Sequence, residues 1–166
     1  MLRWLKGVFS SIVYIQLWED RVKIVNVGSK AVFDEPPYIT VDNSEEKVIV
    51  VAVGNEAYGL LGSSRYEVLN PFSHPRLLVH DFAKAEKVLQ YGIRAVCRSK
   101  LFQSSLVVIH PCDKLDGGLT DVECRLFREL ALGSGARKAY LHIGSEIPLS
   151  NFSLSNFSLS NVNEPK

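Results

Sequence analysis

Side chains able to do chemistry gather between His110 and Cys124. His110 and Cys112 close an apolar run, with Asp113 and Cys124 beyond them, and donors of these types can hold a transition metal. Two donors at such spacing do not define a site, and cysteine is often merely buried, so the pair reads as structural and no metal is expected. Thr120-Asp121-Val122-Glu123 has the spacing of a capping box, in which the Thr120 hydroxyl accepts from the Glu123 amide and the Glu123 carboxylate reaches back to the Thr120 amide. That duty accounts for both residues without catalysis. Gly117-Gly118, just before it, suits either a tight turn or a close backbone approach to a ligand. GxxxxGK[ST], GxGxxG, GxSxG and HExxH are all missing, which removes the enzyme classes that these motifs mark.

These residues need elements to hold them. Residues 12–17 (IVYIQL) and 21–27 (RVKIVNV) are β-rich runs around Trp18-Glu19-Asp20 and predict an antiparallel hairpin. Residues 38–42 and 47–53 repeat the pattern around Asn43-Ser44-Glu45-Glu46, so four strands are expected before the first sizeable helix. Residues 56–61 read as a short helix closed by Gly62. After a loop with Pro71 and Pro75, Asp81 is placed to cap a helix reaching about Arg98, with Phe82, Ala85, Leu89, Ile93 and Val96 as its buried stripe. Residues 105–109 (SLVVI) predict a strand buried on both faces. A second helix over 120–132 ends at Gly133-Ser134-Gly135, and residues 139–143 supply one more strand. The expected architecture over residues 11–144 is α/β, a mixed sheet with flanking helices.

The 166 residues suffice for one domain with a real core, and 46% hydrophobic with 22% charged residues is ordinary for a globular protein. A formal charge of +1 gives no global reason to bind nucleic acid, and none is expected as a partner. Three cysteines without CxxC spacing fit a reducing compartment. No apolar run approaches the roughly 18 residues that cross a bilayer, and the N-terminus lacks a secretory signal, so the expected compartment is the cytoplasm.

Both ends differ from the middle. In residues 1–10 (MLRWLKGVFS), Leu2, Trp4, Leu5, Val8 and Phe9 fall with Met1 on one side of a helix, while Arg3, Lys6, Gly7 and Ser10 share the other. An apolar face with local positive charge is what an interfacial helix requires, so this leader is expected to bind an anionic membrane surface. So short a helix binds reversibly alone and firmly when many copies act together. Leu101-Phe102, in a polar connection between Arg98 and Gln103, either tucks under the domain or makes a second membrane contact. Residues 145–166 hold Asn-Phe-Ser-Leu-Ser twice in succession, a period of neither strand nor helix, and read as a disordered low-complexity tail.

Three stretches carry a family resemblance. Residues 51–62 (VAVGNEAYGLLG) resemble the "AVG-x-x-A-x-x-M-L-G" stretch of MreB, the bacterial actin homologues that determine rod shape. Residues 80–96 (HDFAKAEKVLQYGIRAV) resemble the "ADF…ML-x-x-FI" helix of that family, and residues 119–143 (LTDVECRLFRELALGSGARKAYLHI) are similar to its "T-x-V-E-R-R-A-x-R-E-S-A-x-x-A-G-A-R-E-V-Y-L-I" segment. The leader looks like that of proteobacterial members, and the likeness runs from Met1 to about Ile143. It implies the N-terminal subdomain of an actin-like, ribonuclease-H-like ATPase, which in intact form takes ATP and Mg²⁺. Glu123 matches the family's water-positioning glutamate. The first hairpin departs: the family's phosphate-gripping Asp-Leu-Gly-Thr-Ala-Asn-Thr is replaced by Gln16-Leu17-Trp18-Glu19-Asp20-Arg21-Val22. An indole where backbone must approach phosphate, beside two acids, should weaken nucleotide binding, so no cofactor is expected. The expected role is a truncated cytoskeletal binding or scaffold module without ATP hydrolysis, peripheral on the inner face of the cytoplasmic membrane. Its partners would be that anionic surface, full-length MreB filaments or membrane proteins of the shape machinery. The competing readings are an ATPase filament subunit with an atypical phosphate loop and a degenerate fragment without activity.

Overall fold

Strand β1 (Ser11–Leu17) occupies the centre of a five-stranded sheet because both of its faces are apolar: Val13, Ile15 and Leu17 on one, Tyr14 on the other, all essentially inaccessible to solvent. It pairs antiparallel with β2 (Val22–Asn26), and β2 pairs antiparallel with the edge strand β3 (Val32–Glu35). On its other side β1 runs parallel to β7 (Ser105–Pro111), which runs parallel to β8 (Lys138–Leu141), giving the order β3-β2-β1-β7-β8. A separate antiparallel sheet has the order β5-β4-β6, from β4 (Ile39–Asp42), β5 (Ile49–Val53) and β6 (Glu67–Leu69). The helices are α1 (Asn55–Tyr58), α2 (Phe82–Val96) and α3 (Asp121–Gly133). The computed structural model describes residues 11–44, 46–97 and 105–153. Leu2, Trp4, Leu5, Val8 and Phe9 of the leader, Leu101 and Phe102, and the second copy of the repeat lie outside the described residues.

The long helices cover one face of the larger sheet, where Val13, Ile15, Leu17, Val107 and Ile109 meet Leu89 and Ile93 of α2 and Leu130 of α3. Burial of such aliphatic side chains, each contributing roughly 1.5–3 kcal/mol, is the principal force holding the layers together. Asp81 caps α2 by accepting from the Lys84 amide at 3.0 Å, as its position before the apolar stripe anticipates. Gly92 sits where α2 crosses the sheet, and an added Cβ there would run into Ile24 and Phe33. The opposite face of the sheet has no α-helix among the described residues. Tyr14, Leu106 and Val108 are covered there by the chain after β8, through Ile147, Leu149 and Phe152.

The hairpin, the two long helices, the doubly buried β7 and β8 stand where the sequence places them. Several details differ. Six strands precede α2, not four, because β3 and β6 were not expected: β3 is an edge strand carrying Asp34 and Glu35, and β6 is three residues long. Both depend on a partner strand more than on their own composition. The strands also divide into two sheets, of which only the five-stranded one is mixed. Phe82 is 37% exposed, and Val88 and Gly92 take its place in the buried stripe of α2. Packing on the sheet continues past residue 144, as far as Phe152, so part of the expected tail is attached.

Candidate functional site

The end of β1 delivers Gln16 and Leu17, both buried, to the start of the turn that separates β1 from β2. The turn closes by a bond from the Trp18 amide to the Arg21 carbonyl at 2.9 Å. The Trp18 indole lies under the Arg21 guanidinium, whose carbon is 5.0 Å from the ring centroid. That guanidinium also makes a two-pronged ion pair with Asp34 of β3, at 2.7 and 2.6 Å, which holds the Asp34 carboxyl below the usual range. Trp18 thus stacks under an arginine that is itself paired to β3.

Glu19 ties the turn to two distant loops. Its amide donates to Asp113 at 3.3 Å and its carbonyl accepts from the Asn70 side chain at 2.8 Å. Its carboxylate lies 2.9 Å from the Lys114 ammonium and accepts from the Ser73 hydroxyl at 3.3 Å. The Lys114 ammonium, mostly buried, donates also to the His74 carbonyl. The positive charge beside this turn therefore already has an anion from the protein itself. A phosphate arriving there meets the Glu19 carboxylate in front of the lysine, and at such separations like charges repel by about 1–4 kcal/mol depending on exposure to water. Lys114 and Ser73 were not singled out from sequence, since they lie in loops far from the hairpin and carry no motif.

Glu123 performs the capping duty that its spacing predicts. Its Oε2 accepts from the Thr120 amide at 2.8 Å and from the Thr120 hydroxyl at 2.7 Å, while its own amide donates to that hydroxyl at 3.3 Å. The amide and hydroxyl of Thr120 hold the Glu123 carboxyl below its usual range. Replacing Thr120 by Ala should lower the unfolding free energy by about 1 kcal/mol, read from urea denaturation at neutral pH. Gly117 and Gly118 both have positive φ, 81° and 82°, and the Gly118 amide donates to the Leu115 carbonyl at 2.9 Å. An added Cβ on either meets nothing within 4 Å, so conformation, not close approach of another described group, calls for glycine.

His110 and Cys112 use their polar atoms within the fold. His110 Nδ1 is 2.6 Å from the Tyr14 hydroxyl and Nε2 is 2.9 Å from the Gly144 carbonyl. The Cys112 thiol donates to the His110 carbonyl at 3.3 Å, and burial pushes it up to about 11. Cys124 packs against the other face of the sheet, with the helices. Among the described residues no group of three or more His, Cys, Asp or Glu is arranged to hold a metal ion, and no helix is long and apolar enough to cross a membrane.

Comparison with known proteins places this geometry in context. The sequence profile of the family described as "MreB/Mbl protein" matches residues 12–148. The cell shape-determining protein MreB of Pasteurella multocida is 30% identical over 155 residues, covering 88% of this chain and 43% of that protein. The Escherichia coli K12 protein of the same description is 30% identical over 159 residues, covering 90% of this chain and 45% of its own. The chain thus spans less than half the length of these curated relatives. Among solved structures, MreB5 of Spiroplasma citri bound to ADP superposes with a TM-score of 0.62 at 19% identity, over 80% of this chain and 38% of that one. A non-polymerising MamK mutant bound to AMPPNP gives 0.61 at 12% identity, over 80% and 40%. At those identities the structural likeness speaks for the fold alone: an actin-like N-terminal domain.

Proposed function

The chain belongs to the MreB/Mbl family of cell-shape cytoskeletal proteins, and from that membership we propose that it acts as a membrane-associated binding and scaffold module that does not hydrolyse ATP. The observation that carries this reading is the occupied turn between β1 and β2. Where the resembling family has an aspartate, a glycine and threonines, this chain has Gln16, Trp18 and the acids Glu19 and Asp20, and the carboxylate of Glu19 is paired with Lys114. Gln16 carries no charge with which to attract a cation. Glu123, matched to the water-positioning glutamate, has an oxygen committed to Thr120. With ATP and Mg²⁺ unsupported, the leader is the working part: Leu2, Trp4, Leu5, Val8 and Phe9 enter the acyl boundary while Arg3 and Lys6 face anionic headgroups, with Leu101 and Phe102 as a second contact. The module sits on the inner face of the cytoplasmic membrane and touches full-length filaments or their membrane partners there.

Co-sedimentation with preassembled filaments of a full-length family member tests the partner. The chain is expected in the filament pellet in a saturable way, at well under one copy per subunit if it binds ends. Its quantitative recovery in the supernatant at every filament concentration would remove the scaffold role. The second reading, a nucleotide-binding filament subunit with an atypical phosphate loop, draws support from the likeness to proteins bound to ADP and AMPPNP. It requires Glu19 to leave Lys114 so that a phosphate can take its place.

A further inference from the structure

The face of the larger sheet that carries no α-helix among the described residues is closed by a strap, residues 144–152, held at its start by polar groups and further along by apolar ones. The Ile147 amide donates to the Tyr14 hydroxyl at 3.3 Å. That hydroxyl lies 2.6 Å from His110 Nδ1, and His110 Nε2 lies 2.9 Å from the Gly144 carbonyl. A carbonyl can only accept, so Nε2 carries the proton and Nδ1 is the lone pair to which Tyr14 donates. Both ends of the His110 ring are therefore committed, one directly to the strap and the other to it through Tyr14. Beyond them Phe152 packs on the Tyr14 ring, with centroids 5.5 Å apart.

We propose that His110 is a proton-operated clasp: protonation of its ring releases the strap from the sheet and uncovers the Tyr14, Leu106 and Val108 face. The imidazolium has a proton on both nitrogens. Nδ1–H then claims the oxygen of Tyr14, and the Tyr14 hydroxyl proton loses the acceptor it has in the closed form, while a charge is left at a ring only 3% exposed. Opening the strap returns water to both groups. The titratable and charged neighbours are few. Tyr14 on β1 is held neutral, pushed up to about 12 chiefly by burial, and Cys112, just after β7, is likewise neutral. His142, after β8, meets the His110 ring edge-on at 4.6 Å and opposes its charge. The bond to the Gly144 carbonyl and, to a lesser degree, Glu146 of the strap favour the charge, and Glu146 lies 3.6 Å from Lys23 of β2. Burial and His142 prevail, and His110 is held below its ordinary value in the closed form. The closed form is thus favoured above the ordinary histidine value of about 6.5, and that preference is lost as pH falls through the window below it.

Amide hydrogen exchange on the full chain tests the clasp. After correction for intrinsic rates, protection of the Ile147 amide should fall by up to about tenfold per pH unit below pH 6.5, the limit for one linked proton, while the amides of Val107 and Leu130 keep theirs. In His110→Gln the Ile147 protection should not change with pH. Constant protection in the unaltered chain between pH 7.5 and 5, an equal fall in His110→Gln, or a fall matched by Val107 and Leu130 would each overturn the proposal. If His110→Gln does not fold, direct titration of the His110 ring by NMR decides: a midpoint below the ordinary value that coincides with the loss of Ile147 protection upholds the clasp, and a midpoint at or above it contradicts it.

Discussion

A chain beginning at Ser11 should stay in the supernatant with vesicles rich in anionic lipid, while the full chain pellets with them. Arg3 and Lys6 each contribute roughly 1 kcal/mol near an anionic leaflet, so their loss alone weakens partitioning by about 30-fold. Burying Trp4, Leu5, Val8 and Phe9 adds to this, since each such side chain contributes roughly 1.5–3 kcal/mol when fully removed from water. Ordering ten residues into a helix offsets part of that gain, at about 1 kcal/mol or more per residue before its own hydrogen bonds are counted. The net effect expected is a loss of at least tenfold in the fraction bound. Raising salt should weaken the full chain's binding without abolishing it, because screening touches only the basic residues. Equal pelleting of the two chains would remove the membrane role. A leader double variant, Trp4→Ser with Phe9→Ser, should fall between them while keeping both charges.

The largest loss of stability is expected from Gln16→Asp, which puts back the residue type that the resembling phosphate loop carries. Gln16 is 2% exposed, and its amide hydrogen-bonds the Cys112 thiol. An ionised carboxylate at that depth costs several kcal/mol unless a cation meets it, and the Lys114 ammonium is already paired with Glu19 and the His74 carbonyl. Against a total of about 5–15 kcal/mol for a domain of this size, that leaves little margin at pH 7. The pH dependence has a definite sign. Burial raises the new carboxyl in the folded state above its unfolded value, so the folded protein retains the proton more readily and Gln16→Asp should recover stability as pH is lowered toward 5. Gln16→Asn, which shortens the side chain without a charge, should lose much less. Urea denaturation of both variants at pH 7 and pH 5 makes the comparison, and equal stability of the two at pH 7 would show that a cation is available after all.

What the sequence disclosed was whatever its physics writes locally. The capping box at Thr120 and Glu123 involves residues three apart, and the Asp81 cap precedes its own apolar stripe, so both were readable before any tertiary contact was known. The apolar run of β7 marked burial on both faces for the same reason. Contacts far apart in sequence were not readable. Tyr14 and His110 are 96 residues apart, and the Glu19 amide meets Asp113 across 94. Lys114 had no motif to announce it, although it supplies the cation of the candidate site. The sequence marked Trp18 and Glu19 as obstacles to phosphate, and the fold adds what each of them touches: Arg21 lies over the indole, and Asn70, Ser73 and Lys114 meet Glu19. β3 was missed because an edge strand with two acids has little strand character until Arg21 pairs with Asp34.

The measurement that bears most directly on the account is calorimetric titration of the purified full chain with Mg-ATP. With the Glu19 carboxylate on Lys114 and the Trp18 indole in the same turn, no saturable heat is expected up to millimolar nucleotide. Stoichiometric binding at micromolar affinity, lost in Glu123→Ala, would contradict the account and restore the ATPase reading.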